Sequence, residues 1–243
     1  MLKKYREMDR DTWGNVFDEF TLRTVHKLSS DGHFEGLKSP IALGKEANVF
    51  SAEKNDSLVC VKIYRLEAAD FKRMYTYIMG DPRFKGVHNQ RRKVIFEWTK
   101  REFRNLVKAR DGNCKVPKPL AFRNNILVME WIGDKQPAPT LKNKPPQNPN
   151  ACFDFVIDQM KKLINAGLVH GDLSEYNILN NDEEFLLIDL SHGTPVLAAV
   201  SRQLLERDIK NVFNYFKRMK VNFDEEKIRE EIMQTFKKQM QSH

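Results

Sequence analysis

LVHGDLSEYNIL occupies residues 168–179, and LLIDLS occupies residues 186–191. In the first, Asp172 and Asn177 lie five apart in a loop between a helical stretch and a strand. In the second, Asp189 ends a short apolar strand that follows the turn residues Asn180, Asn181 and Asp182. A helix, a polar loop, a strand, a turn and a second strand bring three oxygen-bearing side chains to one loop edge. Hard cations such as Mg²⁺ take oxygen ligands and share them with phosphates. Phosphoryl transfer uses such a set: an Asp aimed at the attacking hydroxyl, and an Asn and an Asp on metal. A turn of ordinary composition supplies one such residue, not the full H-G-D-x-x-x-x-N followed by I-D.

Upstream, Lys62 interrupts the apolar strand LVCVKIY, and a buried ammonium needs an anionic partner. Glu102, central in the helix predicted over 94–110, is the natural partner, with Glu97 as a rival. A Lys–Glu pair of this kind presents the Lys to nucleotide phosphates. Gly44-Lys45-Glu46-Ala47-Asn48-Val49 lies between two predicted strands just before Lys62 and reads as a phosphate-covering turn. It holds neither G-x-G-x-x-G nor a Walker A pattern.

Further strands are expected at 37–43, 49–53 and 58–64, and on either side of Asn124-Asn125; the last reads ILVMEWI. Helices are expected over 11–30, 151–166, 196–219 and 224–241. Residues 79–93, MGDPRFKGVHNQRRK, are polar and basic and read as an irregular, mobile insert. Five prolines between Gly133 and Asn150 mark a stiff connector. The division expected is 1–34 for an N-terminal helical extension, 35–132 for a nucleotide-binding N-lobe, 133–150 for hinge and linker, and 151–243 for a C-lobe with catalytic loop and metal site. The fold class is α+β and two-lobed, with a cleft between the lobes.

The composition is compatible with this. The chain has 243 residues, 41% hydrophobic and 30% charged, which excludes wholesale disorder. Three scattered cysteines, Cys60, Cys114 and Cys152, argue against a disulfide framework or zinc site and for a reducing, cytoplasmic setting. No apolar run is long enough for a membrane span, and the charged N-terminus is unlike a signal peptide. A net charge of +8 suits polyanionic partners.

IALGKEANVF, VCVKIY, GDPRF, LVMEWIG, PAPTLK, LVHGDLSEYNIL and LLIDLS together resemble the RIO family of atypical protein kinases, nearest its Rio-one subfamily, over about residues 10–220. The absence of long extensions makes the chain look like an archaeal-type core. The resemblance implies a bilobal protein-kinase-like fold with a β-rich N-lobe, an extra N-terminal helix, and a reduced helical C-lobe without activation loop or peptide-docking helices. It implies that Met129, Glu130, Trp131 and Ile132 form the hinge, with backbone groups of Glu130 and Ile132 on the adenine of ATP. Lys62 would touch phosphates, Asp172 would be the catalytic base, and Asn177 and Asp189 would hold Mg²⁺, with Mn²⁺ as a substitute. Asp189 would also be the acceptor of a phosphoryl group during ATP hydrolysis. Relatives act as serine/threonine kinases or ATPases in maturation of the small ribosomal subunit, so the implied partners are ATP and a precursor particle of that subunit, through protein and rRNA, with the chain a monomer.

Two other readings compete. A small-molecule phosphotransferase of the aminoglycoside or choline kinase type also uses an H-G-D loop, but with a larger second lobe. An idle kinase-fold scaffold binding precursor rRNA has no need of Lys62, Glu102, Asp172, Asn177 and Asp189. Asp208, a charge within an apolar-periodic helix, is a candidate acceptor for the N–H groups of His170 and Gly171. Trp13, Trp98 and Trp131 read as core or cleft-wall residues. His170 reads as a packing residue of the loop, and His192 as part of a solvated turn.

Overall fold

The computed structural model describes residues 17–67, 71–81, 83 and 90–241. Five antiparallel strands form the first lobe: β1 (Gly36–Leu43), β2 (Ala47–Lys54), β3 (Ser57–Tyr64), β4 (Pro119–Arg123) and β5 (Ile126–Glu130). Their order is β1-β2-β3-β5-β4. Asn55 and Asp56 turn β2 into β3 with φ of 47° and 60°, which short polar side chains tolerate. Helix α1 (Glu19–Ser30) covers one sheet face, burying Val25 and Leu28 against Phe50, Val61, Ile63 and Val128. The expected helix from Asp11 is not continuous into it. Asp18 is extended and caps α1 through the N–H of Thr21, so the helix starts there. The part of that expectation before Phe17, Trp13 included, lies outside the described residues.

The opposite sheet face receives α2 (Phe71–Met79) and the long α3 (Arg91–Asp111). Helix α2 is absent from the sequence reading, although Phe71, Met74, Tyr75 and Ile78 recur at helical spacing. It is short, and Met74 and Ile78 become buried against Tyr64 of β3 and Val94, Ile95 and Trp98 of α3. Helix α3 also starts three residues earlier than expected, taking Arg91, Arg92 and Lys93 from the supposed irregular segment.

The second lobe is built on α4 (Pro149–Asn165), α5 (Ser201–Arg218) and α6 (Glu225–Gln241). Between α4 and α5 lie two small antiparallel strand pairs, β6 (Leu168–Val169) with β9 (Thr194–Pro195), and β7 (Ile178–Asn181) with β8 (Glu184–Leu187). The turn of the second is Asp182-Glu183, both left-handed, so Asn180 and Asn181 belong to β7 rather than to the turn. Only Leu190–Val200 separate Asp189 from α5, as a 3-10 turn, β9 and a short bend. That leaves no length for an activation loop. The proline-rich connector docks instead of bridging freely. Leu141 donates its N–H to the Ile178 carbonyl and Asn180 to the Pro139 carbonyl, so 139–142 line β7 as a further edge. Leu141 is fully buried there.

Helix α6 closes the C-lobe core with Ile232 and Phe236. Truncating a core aromatic to Ala costs about 3–5 kcal/mol. Phe236→Ala should therefore lower unfolding stability by that amount in urea titration. A loss below about 1 kcal/mol, the scale of a surface change, would show α6 to be peripheral.

Candidate active site at the lobe junction

β2 and β3 pair without a register shift, so facing residues share a sheet face: Val49 with Lys62, Asn48 with Ile63, Phe50 with Val61. Lys62 also faces Leu127, and Cys60 faces Met129, on the side turned to the second lobe. Asn48 falls on the other side with Ile63, towards α1, and does not join the cleft through its side chain. Of the hexapeptide expected to cover phosphates, Gly44 to Ala47 form a tight turn closed by the Gly44 N–H on the Ala47 carbonyl at 3.0 Å. A Cβ on Gly44 would meet that oxygen at 2.7 Å, hence the glycine.

Lys62 and Glu102 meet as the sequence suggests, Nζ to Oε1 at 2.9 Å, with both side chains buried. Glu97 pairs with Lys100 instead. The same ammonium also lies 2.9 Å from Asp189 Oδ1. Burial pulls the Lys62 ammonium down, but Asp189 and then Glu102 beside it raise it well above the ordinary lysine value. Burial opposes ionisation of Asp189 too, yet Lys62 and the Ser191 hydroxyl, 2.7 Å from Oδ1, hold its carboxyl below the usual range. Burial raises Glu102 despite Lys62. The Tyr64 hydroxyl, absent from the sequence reading, donates to the second oxygen of Glu102. Both Glu102 oxygens are thereby engaged, as a buried carboxylate requires.

Asn177 precedes β7, and its carbonyl accepts the N–H of Ile188 at 3.0 Å, so Asp189 emerges next to it at the same hairpin end. Asn177 donates Nδ2 to the Asp172 carbonyl at 2.8 Å. That leaves Asn177 Oδ1 as an acceptor, and Asp189 Oδ2 beside the engaged Oδ1. Among the described residues no cluster of three His, Cys, Asp or Glu side chains exists to cage an ion. Two protein oxygens completed by phosphate and water fit the habit of Mg²⁺.

Asp172 is supported from α5. Asp208 is buried and accepts the N–H of Gly171 at 2.7 Å and of Leu173 at 2.9 Å. The expected acceptor is thus correct, with Leu173 in place of His170 as the second donor. His170 is buried, and its Nε2 bonds the Ile188 carbonyl. Neighbouring Arg207, not anticipated, donates to the Gly171 carbonyl and lies 3.7 Å from Asp172 Oδ1. Gly171 has φ +78, and a Cβ there would meet the His192 carbonyl at 2.7 Å. An arginine before Asp172 is excluded on both counts, and Arg207 brings the guanidinium from another element. His192 is not in a solvated turn. It is buried, edge-on to Tyr77 and Trp98, and burial drives its pKa down to about 3.

The hinge follows β5. The N–H of Glu130 donates to the Lys118 carbonyl, and the Ile132 carbonyl accepts from Ala138. Trp131 sits at the surface side of the hinge, bonding the Asp134 carbonyl through Nε1.

Burial pushes the Asp208 carboxyl up to about 7, against the two N–H bonds that favour its ionised form. An unfolded Asp titrates near 3.9. Between those values the folded chain binds the extra proton, so this group makes stability fall as pH rises from about 4 to about 7. Thermal melts across that range should show the fall in the native chain, and Asp208→Asn should lack it. Asp208→Ala, which strands two buried N–H groups, should lower melting temperature and turnover together.

The RIO domain family matches residues 48–228. The RIO-type serine/threonine-protein kinase Rio1 of Haloferax volcanii is 42% identical over 213 residues, covering 86% of this chain and 73% of its own. Rio1 of Methanocaldococcus jannaschii is 40% identical over 226 residues, covering 91% and 78%. Among solved structures, the Rio2 kinase from Chaetomium thermophilum superposes with a TM-score of 0.64 at 19% identity; the match covers 79% of this chain and 60% of that one. A second Rio2 structure, an ADP/Mg²⁺-phosphoaspartate complex from the same organism, gives 0.62 at 16% identity over 90% of this chain and 75% of that one. A two-lobed fold with Lys62, Glu102 and Asp189 joined at its centre, and a family match over most of its length, lead to one assignment: the chain belongs to the RIO family of atypical protein kinases, on its Rio1 side.

Proposed function

We propose that the chain is an ATP-dependent serine/threonine protein kinase that also hydrolyses ATP through Asp189, acting on precursors of the small ribosomal subunit in the cytoplasm. The observation that carries the phosphotransfer reading is the convergence of Lys62, Glu102 and Asp189 within 2.9 Å contacts at the lobe junction. Glu130's N–H and Ile132's carbonyl are engaged within the chain, and the Glu130 carbonyl and Ile132 N–H would hold the adenine. The Gly44–Ala47 turn, with Lys45 exposed on it, covers the phosphates. When ATP enters, Lys62 keeps Glu102 and turns its remaining capacity to phosphate. Bound Mg²⁺, held by Asn177 and Asp189, would neutralise charge on the phosphates.

Asp172 orients the attacking hydroxyl and accepts its proton, on a loop whose backbone Arg207 and Asp208 hold on both sides. In the hydrolytic branch, an Asp189 carboxylate oxygen forms the bond to the γ-phosphorus as the bond to the β,γ-bridging oxygen breaks, and ADP leaves. Water then cleaves the acyl phosphate and restores the carboxylate. The phosphoaspartate seen in the distant Rio2 structure supports this branch. The basic residues Arg91, Arg92 and Lys93, exposed at the start of α3, suit rRNA phosphates. Among the described residues no helix is long and apolar enough to cross a membrane.

The test is incubation of the pure chain, and of the chain with precursor particles, with ATP radiolabelled on its γ-phosphate. Steady release of phosphate, or labelling of a ribosomal protein, is expected; neither would leave an idle scaffold. Asp172→Ala should cut protein labelling by at least about 100-fold with ATP still bound. Near-normal labelling in that variant would remove Asp172 from its role. Asp189→Asn should lose a hydroxylamine-labile label on the chain itself. Label surviving in that variant would overturn the aspartyl-phosphate.

A further inference from the structure

Asp189 stands in a left-handed conformation, φ 58° and ψ 66°. A non-glycine residue there is strained and needs restraint from its surroundings. Lys62 and Ser191 hold its side chain. The peptide that follows is held from the other lobe. Asn105, fully buried in the middle of α3, donates both protons of its amide out of the helix, to the Leu190 carbonyl at 2.8 Å and the Gly193 carbonyl at 2.7 Å. These are the two ends of the 3-10 turn after Asp189. The fit is tight, since a Cβ on Gly193 would meet Asn105 Nδ2 at 2.7 Å.

The amide is itself oriented. Its Oδ1 accepts Arg83 Nη1 at 2.9 Å, which dictates which end of Asn105 faces the turn. Arg83 is clamped by buried Asp81, with Nε at 2.9 Å from Oδ1 and Nη2 at 2.6 Å from Oδ2. Arg101, one turn before Asn105 and wholly buried, bonds Asp81 at 3.2 Å and reaches across to the Thr194 hydroxyl at 3.0 Å. A hydrogen-bonded chain therefore runs from Asp81 and Arg83 through α3 to residues 190–194. The mechanism above uses none of these groups. A buried polar network of this extent is costly unless every contact serves.

We propose that Asn105 is a positioning residue for Asp189, with Arg83 setting the direction of its amide, so that the first lobe fixes where the metal-facing carboxylate points. Through this chain the segment at Asp81 and Arg83 tunes metal and nucleotide binding without touching either. The inference rests on Asp189 being a metal ligand. Partners that orient a ligand from behind are worth about 10–100-fold in metal affinity.

The experiment is calorimetric titration of a non-hydrolysable ATP analogue at graded Mg²⁺, which needs no turnover. In the native chain Mg²⁺ should tighten binding. Asn105→Ala should leave metal-free affinity unchanged and raise the Mg²⁺ concentration for half of that gain by about 10-fold or more. Arg83→Gln, which removes the guanidinium that orients the Asn105 amide, should shift it the same way by less. A purely structural Asn105 would lower melting temperature and leave the Mg²⁺ midpoint in place, which would overturn the proposal. If Asn105→Ala does not fold, an unshifted Arg83→Gln overturns it instead. Asp189→Asn separates the two levels. If that variant keeps the Mg²⁺ gain, the ligand reading fails; if it loses the gain while Asn105→Ala keeps it, only the positioning role fails.

Discussion

One buried ammonium organises this molecule. Lys62 reaches from the central strand of the sheet to Glu102 on α3 and to Asp189 at the end of the β7–β8 hairpin. A charge removed from water is tolerated only with close counter-charges. Here they come from two further elements, one in each lobe, so sheet, helix and hairpin must meet at one place. Two carboxylates around one lysine leave the cluster a net negative charge. That is a reason for the Tyr64 and Ser191 hydroxyls to serve as donors there.

The loop that carries Asp172 is secured by a different logic. Its anchors are backbone groups, which depend less on the loop's own side chains. Asp208 takes two N–H groups, and Arg207 takes the carbonyl between them. Adjacent residues on one helix thus grip both edges of the Gly171 peptide. Glycine at 171 allows the left-handed turn and the close approach of the His192 carbonyl. Arg207 then supplies from α5 the guanidinium that this backbone shape forbids in the loop itself. Family membership and the shortened path from Asp189 to α5 agree with a kinase that dispenses with an activation loop.

Much of this was legible in the chain. Asp172, Asn177 and Asp189 stand out because metal and proton chemistry need particular oxygen ligands at fixed spacing, and the hairpin that aligns them is local. Lys62 stands out because a charge in an apolar strand is anomalous. Glu102 follows as its answer, although choosing it over Glu97 required the helix to be placed. Strands β2 and β3 follow from their apolar residues and the Asn55-Asp56 turn between them. Helix α2 is not legible there, because nine residues carry a weak periodic signal and its burial depends on α3. The start of α1 is not legible either, because apolar spacing continues upstream of Asp18, whereas the cap is a matter of backbone geometry.

The sequence by itself determined the local chemistry: which residues can ligate metal, accept a proton or pair with phosphate, and which short elements carry them. Those properties belong to side chains and near neighbours. Only the tertiary structure decided which face of β2 the residues of the 44–49 hexapeptide take, turning Asn48 towards α1. It alone decided that Lys62 touches Asp189, that Arg207 stands behind Asp172, and that Asn105 holds the turn after Asp189. Those contacts join residues from 35 to 127 positions apart, and sequence spacing holds no record of distance once the chain has left a helix or hairpin. Whether His192 meets water or two aromatic rings is settled in the same way, by what the other lobe brings to it.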